Sequence, residues 1–456
     1  MSFVRLHQPV SGWTCYARAT KRPATSLISI CQYRNQSTLS SHATATTAQT
    51  SSIPQKPKCL VYESTSSNPF FNLAFEDWLF RKTCPQDTIL FLYRNQPSVI
   101  IGRNQNPWVE TNLSSLERSR IRLLRRFSGG GTVYHDMGNT NFSIIQKREK
   151  FDRQKNAEII ARAVNSALQQ HQNSSVSIDN TTPLPRAIAH VNDRTDIMID
   201  DKKISGSAFK LTARRAYHHG TMLIDTNLSA LDNILQTDKE VKSTLFKSST
   251  ISTKAIPSFK SPVTKLVDFN NHISSRSFVQ AAIAEFRRDN CGPGKEYQAG
   301  PLYSINEHLL NHDQDCREYV KDKMTELMSW EHIFGQTPQF THSFHKLFEW
   351  ETIMVSVTVK NGIIEQASVK EKRFDKGAFQ AIANQMIGKK YGSPVIFNTS
   401  IIKGFNDNDP KLDLNSPIGR RGKLMPVLKS EDLFYGFKIF SERTAELTNW
   451  IRLTCH

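Results

Sequence analysis

RRFSGGGTVYHDMGN, residues 125–139, is the stretch on which the reading of this 456-residue chain turns. Ser128-Gly129-Gly130-Gly131 withholds side chains and lets a ligand lie directly on backbone N–H groups, a surface suited to phosphate or carboxylate. Arg125 and Arg126 precede it, and a guanidinium fork neutralises phosphate oxygens well. A glycine run alone is more often a flexible turn than a site, so its surroundings decide. Neither a GxxxxGK[ST] loop nor a GxGxxG fingerprint occurs, and any use of nucleotide must rest on this segment.

Working outward, Asn68-Pro69 supplies a helix cap and a first-turn proline. Phe71, Ala74, Phe75, Trp78 and Leu79 then recur at helical spacing, which predicts an amphipathic helix against a core. TILFLYRNQPSVIIG, residues 88–102, reads as two strands joined by a turn. Ile160, Ala163, Val164, Ala167 and Leu168 mark a second amphipathic helix, and strand signals return at Asp196–Ile199 and Thr221–Ile224. Gln169–Asn192, polar and holding Pro183 and Pro185, reads as a mobile surface loop. Taken alone, DKKISGSA at 201–208 is a hairpin turn with a solvated lysine. Further on, Ile353, Val355, Val357 and Val359 alternate ahead of Asn361-Gly362, a strong hairpin signal, and Gly377–Lys389 reads as a helix.

A chain of this length exceeds the ~250–300 residues at which one core stops growing, so two domains and a tail are expected. No run approaches the ~18 apolar residues of a membrane span. The net charge of +17 raises the question of nucleic acid, but its placement argues against it. The first acidic residue is Glu63, and seven Lys and Arg precede it; the rest are scattered without a basic stripe. Residues 1–55, rich in Arg, Ser and Thr and free of Asp and Glu, have the composition of an organelle transit peptide running into a Ser/Thr-rich linker from Gln36. Cys15, Cys31, Cys59, Cys84, Cys291, Cys316 and Cys455 form no CxxC pair, which argues against zinc and fits a reducing compartment.

Read whole, RRFSGGGTVYHDMGN resembles the RRxSGGGxVxHDxGN motif of lipoate-protein ligases at every fixed position. NPFFNLAFEDWLF and LFLYRNQPSVIIGRNQNPWVE are similar to that family's opening helix and first strand pair. DKKISGSA with YHHGT at 217–221 looks like its lysine segment, and WEHIFGQTPQF at 330–340 resembles the start of its accessory domain. The resemblance runs from about residue 60 to about residue 390. It implies an α+β chain: a biotin/lipoate ligase-like catalytic domain over 59–312, with mixed sheets flanked by helices, and a small α+β accessory domain over 320–456.

By the same resemblance Lys203 is the catalytic lysine, an ammonium able to steady an acyl carbonyl oxygen and an α-phosphate together. Arg126, Ser128, Gly129, Gly130, Gly131, Thr132, Tyr134, His135, Asn139, Thr195, Asp196, His219 and Thr221 are implied as binding residues for substrate and adenylate. Asp196 is implied as a Mg²⁺ contact, though Thr195 stands where the family carries Asn. The implied substrates are lipoic acid or octanoate with ATP and Mg²⁺. The implied partners are the lipoyl domains of 2-oxoacid dehydrogenase E2 subunits and glycine cleavage H protein, met by a monomer in the mitochondrial matrix. An amidotransferase using a preformed acyl-adenylate or a carrier-bound acyl group stays open as the alternative. A thioester route is disfavoured, because Cys84 is the only cysteine between Leu60 and Asn290.

Overall fold

The computed structural model describes residues 56–172, 188–230, 249–349, 352–371, 379–392, 445–449 and 451. The expected leader, the middle of the 169–192 loop, the start of the 377–389 helix and most of the chain after 392 lie outside the described residues.

A six-stranded mixed sheet carries the larger part. It comprises β1 (Lys58–Ser64), β2 (Thr88–Tyr93), β6 (Asn139–Lys147), β10 (Ser207–Leu211), β11 (Arg215–Leu223) and β13 (Gln298–Ile305), in the order β10-β11-β6-β2-β1-β13. β1 runs parallel to both β2 and β13, and the other pairings are antiparallel. Both faces are covered, so β2 is buried at every residue and its sequence TILFLY is a continuous apolar run instead of an alternating one. Leu90, Leu92, Phe142 and Ile144 pack with Val164 of helix Arg153–Gln172 and Phe278 of helix Ser275–Asn290. Tyr62, Phe91 and Tyr93 form an aromatic layer with Phe75 of helix Pro69–Lys82 on the opposite face.

That last helix begins as its sequence predicts, with Asn68 capping the Phe70 amide ahead of Pro69. It is not amphipathic, however: Pro69 through Phe80 are all buried. The reason is helix Gln314–Met328, which packs on its outer side and contributes Tyr319, whose hydroxyl donates to Asp77 at 2.7 Å. Asp77 also takes Arg81 at 2.8 Å and Lys210 at 3.1 Å, which balances its burial.

Two small sheets flank the main one. β3 (Ser98–Ile101) lies between β4 (Arg122–Arg125) and β5 (Val133–His135), so the two strands expected over 88–102 enter different sheets. β7 (Ala189–Val191), β8 (Ile197–Ile199) and β9 (Lys202–Ser205) make the other. The end of the predicted 169–192 loop is therefore strand β7, and its first residues continue helix Arg153–Gln172.

The accessory part is a four-stranded antiparallel sheet, β12 (Ser249–Thr253), β14 (Phe340–Leu347), β15 (Thr352–Lys360) and β16 (Ile363–Glu371). Asn361 and Gly362, at φ +52° and +71°, make the tight turn their sequence predicts. Ile353, Val355, Val357 and Val359 bury one face against Ile382, Leu447 and Ile451. β12 lies within the stretch expected for the catalytic domain yet forms the edge of this sheet. Trp108 of the short helix Pro107–Glu110 joins the same core, with its ring 5.2 Å from Phe334 and 5.0 Å from Tyr391.

Arg125 ties the two parts together. Its buried guanidinium donates to the carbonyls of Gly102, Arg103 and Gln105 on one side, and to Ile333 O and Thr337 Oγ1 on the other. With its donors spent on protein, it is a structural clamp and does not meet phosphate as its position in the motif suggested.

Candidate active site

A cleft of about 250 Å³ opens where the main sheet meets the two small ones. Its floor follows the pairing register, with Tyr93 opposite Asn141, Asn141 opposite Thr221, and Gly220 opposite Ser207. Those positions cross four strands, about 14 Å at the usual strand spacing. Leu73, Ile100, Val133 and Ala208 contribute apolar surface to a lining that is about half polar.

Lys203 stands at one end. It lies on β9, held from both sides: β8 pairs with it, and its backbone exchanges hydrogen bonds with Pro262 O at 2.9 Å and Thr264 N at 3.1 Å. Its Nζ meets Asp196 Oδ1 at 2.8 Å, and both side chains remain partly open to the cleft. Asp196 is aimed by a tight turn in which Asn192 Oδ1 accepts from the amides of Arg194 and Asp196, each at 3.0 Å. Thr195 occupies the apex at φ +63°, a left-handed conformation that costs a β-branched residue roughly 1–2 kcal/mol. Its own side chain is buried. What reaches the site is its carbonyl, which accepts from the Ser207 hydroxyl at 3.2 Å. His218 Nε2 in turn donates to Ser207 Oγ at 2.8 Å, and burial, with some help from His219, holds its pKa down to about 3, so the ring is neutral.

The glycine wall is built differently. Gly130 takes φ +86°, and a Cβ there would come within 2.9 Å of Arg126 Nη2. Arg126 lines the cleft, but its donors go to protein: to Gly129 O at 2.6 Å, Gly131 O at 2.7 Å and Ser128 Oγ at 3.0 Å of its own loop, and to Ile100 O of β3 at 3.0 Å. Burial pulls its pKa down to about 10, so it stays charged at neutral pH. Ser128 Oγ lies 2.7 Å from His219 Nε2, and His219 Nδ1 lies 3.1 Å from both oxygens of Glu76, a buried carboxylate on helix Pro69–Lys82. At the loop's exit the Thr132 amide donates to Ser258 Oγ at 2.9 Å, and that hydroxyl is held by Gln105 and Glu110.

Arg126, Gly131, Thr132, His135, Asp196, Lys203, His219 and Thr221 thus line one cleft, and Ser128, Gly129, Gly130, Tyr134, Asn139 and Thr195 do not. On β5 alternate residues face opposite ways, which sends Val133 and His135 into the cleft and Tyr134 into a cluster with Val99, Ile101 and Leu116. Asn139 is buried on β6, its amide donating to Asn141 Oδ1 at 3.0 Å. Sequence reasoning did not single out Glu76, Arg194, Ser258 or Phe259. Phe259 is 71% exposed at the cleft, with the Arg194 guanidinium 4.1 Å over its ring. Nothing in the string SFKSPV marks it. Among the described residues no cluster of three His, Cys, Asp or Glu could hold a metal, and Asp196 already carries the Lys203 ammonium. Asp196 is the one carboxylate among the described residues that line the cleft, a donor set too small for an all-protein cage and of the kind that holds Mg²⁺ together with substrate phosphates.

Residues 68–287 match the family of lipoyl protein ligase A/B catalytic domains, and residues 337–403 match the bacterial lipoate protein ligase C-terminus. The chain is 33% identical to lipoate-protein ligase A of Psychrobacter cryohalolentis over 338 residues, covering 73% of this chain and 89% of that one. It is 35% identical to the mitochondrial lipoyl amidotransferase LIPT1 of Mus musculus over 317 residues, covering 68% and 76%. Among solved structures it is similar to P. falciparum LipL1 in complex with lipoate, at 24% identity and a TM-score of 0.46 over 85% of this chain and 99% of that one. A chain so matched along both parts belongs to the lipoate-protein ligase and lipoyltransferase family of enzymes.

Proposed function

We propose that the protein activates lipoate with Mg·ATP and then passes the lipoyl group to a lysine of a lipoyl domain. In the first step a lipoate oxygen bonds to the α-phosphorus and pyrophosphate leaves. In the second, the target ε-amine, having lost a proton, bonds to the acyl carbon and AMP leaves. The observation that carries this reading is the position of Lys203 at one end of a cleft of mixed polar and apolar lining whose other side is the exit of the glycine loop. An ammonium with one N–H on Asp196 keeps two for the acyl carbonyl oxygen and an α-phosphate oxygen, where negative charge builds in both steps. The acyl tail then runs along the floor toward Tyr93, and Mg²⁺ belongs to the nucleotide substrate.

The second reading, transfer from a preformed lipoyl-adenylate, is favoured by the relative named an amidotransferase. Purified protein given an acceptor domain with either lipoate and Mg·ATP or lipoyl-AMP separates the two. Modification from both donors supports the ligase; modification from lipoyl-AMP alone makes the protein a transferase. E2 lipoyl domains and glycine cleavage H protein are the proposed acceptors. Import into the mitochondrial matrix with loss of residues 1–55 is proposed from the acid-free leader and the mitochondrial relative. N-terminal sequencing of the matrix protein checks it. The catalytic and accessory limits of 59–312 and 320–456 are likewise proposals.

A further inference from the structure

We propose that Asn72 and Asn95 are positioning residues that present His135 to the acyl substrate as an uncharged Nε2–H donor. The inference rests on reading the cleft as an acyl-substrate site. Asn72 and Glu76 lie one turn apart in the buried stretch of helix Pro69–Lys82, hence on one face, and each leads to a histidine of the cleft. Glu76 reaches His219 directly. Asn72 reaches His135 through Asn95, and that path fixes the direction of every hydrogen bond.

Asn72 Nδ2 lies 3.0 Å from Ser66 O and 3.1 Å from Arg94 O, which only accept, so this atom is the amide nitrogen. Its two N–H groups are shared among these carbonyls and Asn95 Oδ1 at 2.8 Å, and since an amide nitrogen does not accept, the atom of Asn95 facing it is the oxygen. The other end of the Asn95 amide must then be its NH2, which donates to His135 Nδ1 at 2.9 Å. A ring that accepts at Nδ1 carries its proton on Nε2 when neutral. Neutrality follows from the surroundings: burial first, then the Arg126 guanidinium and the neighbouring His219 ring, hold the His135 pKa down to about 3.

His219 is engaged at both nitrogens, by Glu76 and Ser128, and the buried His218 donates to Ser207. Among the described histidines of the cleft, His135 is left with Nε2–H to offer a ligand. A neutral donor suits an acceptor atom of the acyl group and does not draw phosphate away from Lys203.

Nitrogen-15 histidine NMR on the full chain, with His135 assigned by the loss of its signals in H135Q, reads the tautomer directly. The expected spectrum has a bare Nδ1 and a protonated Nε2, both constant from about pH 5 to 8, with Nε2 moving when lipoate is added. An Nδ1–H tautomer, or a titration midpoint inside that range, overturns the proposal. In Asn95→Asp the new carboxylate draws the proton to Nδ1, so Nε2–H survives only while the ring is an imidazolium. The KM for lipoate should then rise about tenfold between about pH 6 and 8, while kcat and the KM for ATP stay close to wild type. A KM for lipoate that stays as flat as the wild type's contradicts it. If wild-type protein binds no lipoate at all, it is the functional reading that has failed. The wild-type spectrum decides the tautomer even where the substitution prevents folding.

Discussion

The two walls of the cleft are built on opposite terms. On the glycine wall Arg126, Ser128 and His219 are already joined to protein, and the chain of contacts ends on Glu76 in the most deeply buried helix. On the lysine wall Lys203 has Asp196 as its ion-pair partner, both side chains are partly exposed, and the short strands around them turn through Thr195 and Asp200 at positive φ. Side chains spent on the scaffold hold a shape; side chains left open act. The difference teaches that the motif with the strongest sequence signal is spent on shaping the pocket, while the weaker DKKISGSA block holds the open side chains that the proposed function uses for chemistry.

Substitutions on each wall can break that division. Lys203→Ala should lower lipoylation by about 10²–10³-fold, the scale of a lost transition-state donor, with an unchanged thermal unfolding curve. Near-normal turnover by the folded variant would move the chemistry elsewhere. Acid should act on the scaffold. His135 and His218 are neutral in the fold, with pKa near 3, and protonate below about pH 6.5 when unfolded. The unfolded chain therefore binds the extra protons between those values, and stability falls as pH falls through that window, by up to about 1.4 kcal/mol per pH unit for each ring. Urea midpoints measured from pH 7 down to 4 check it: half the slope would mean that one ring is solvated, and a flat profile that both are.

Glu76→Ala, which strands the His219 Nδ1 donor, should cost about 1–3 kcal/mol in urea unfolding and raise the KM for lipoate more than it lowers kcat. A larger effect on kcat would place Glu76 among the reacting groups. Salt offers a gentler test. With ten units of positive charge left once the first seven basic residues are set aside, modification of an acidic lipoyl domain should slow about three- to tenfold between low and physiological ionic strength. Insensitivity to salt would remove electrostatic steering. Thr195→Asn should stabilise the fold by about 0.5–1 kcal/mol, since Asn tolerates the left-handed backbone better, and a lower melting temperature would show that the Thr195 hydroxyl, 2.5 Å from Arg194 O, outweighs the strain.

Local chemistry was readable from the sequence. The Asn68-Pro69 cap, the helix through Ile160, the Asn361-Gly362 turn and the α+β character all follow from neighbours within a few residues. What could not be read depends on partners far along the chain. Glu76 meets His219 across 143 positions, and Arg125 meets Ile333 across 208. No periodicity shows that helix Pro69–Lys82 is covered on its outer side, or that β12 leaves the stretch around it to edge the accessory sheet. The motif match named fourteen residues together, but the pleat of β5 alone turns Tyr134 away from the cleft and His135 into it.

The contrast between the walls is tested most directly by single-turnover transfer from saturating lipoyl-AMP to an acceptor domain, followed by intact mass, with Lys203→Ala and Glu76→Ala side by side. The expected result is transfer slowed about 10²-fold or more by Lys203→Ala and left near the wild-type rate by Glu76→Ala once donor saturates. A wild-type rate in Lys203→Ala, with Glu76→Ala slowed at saturation, would contradict the division of labour and place the chemistry on the glycine wall.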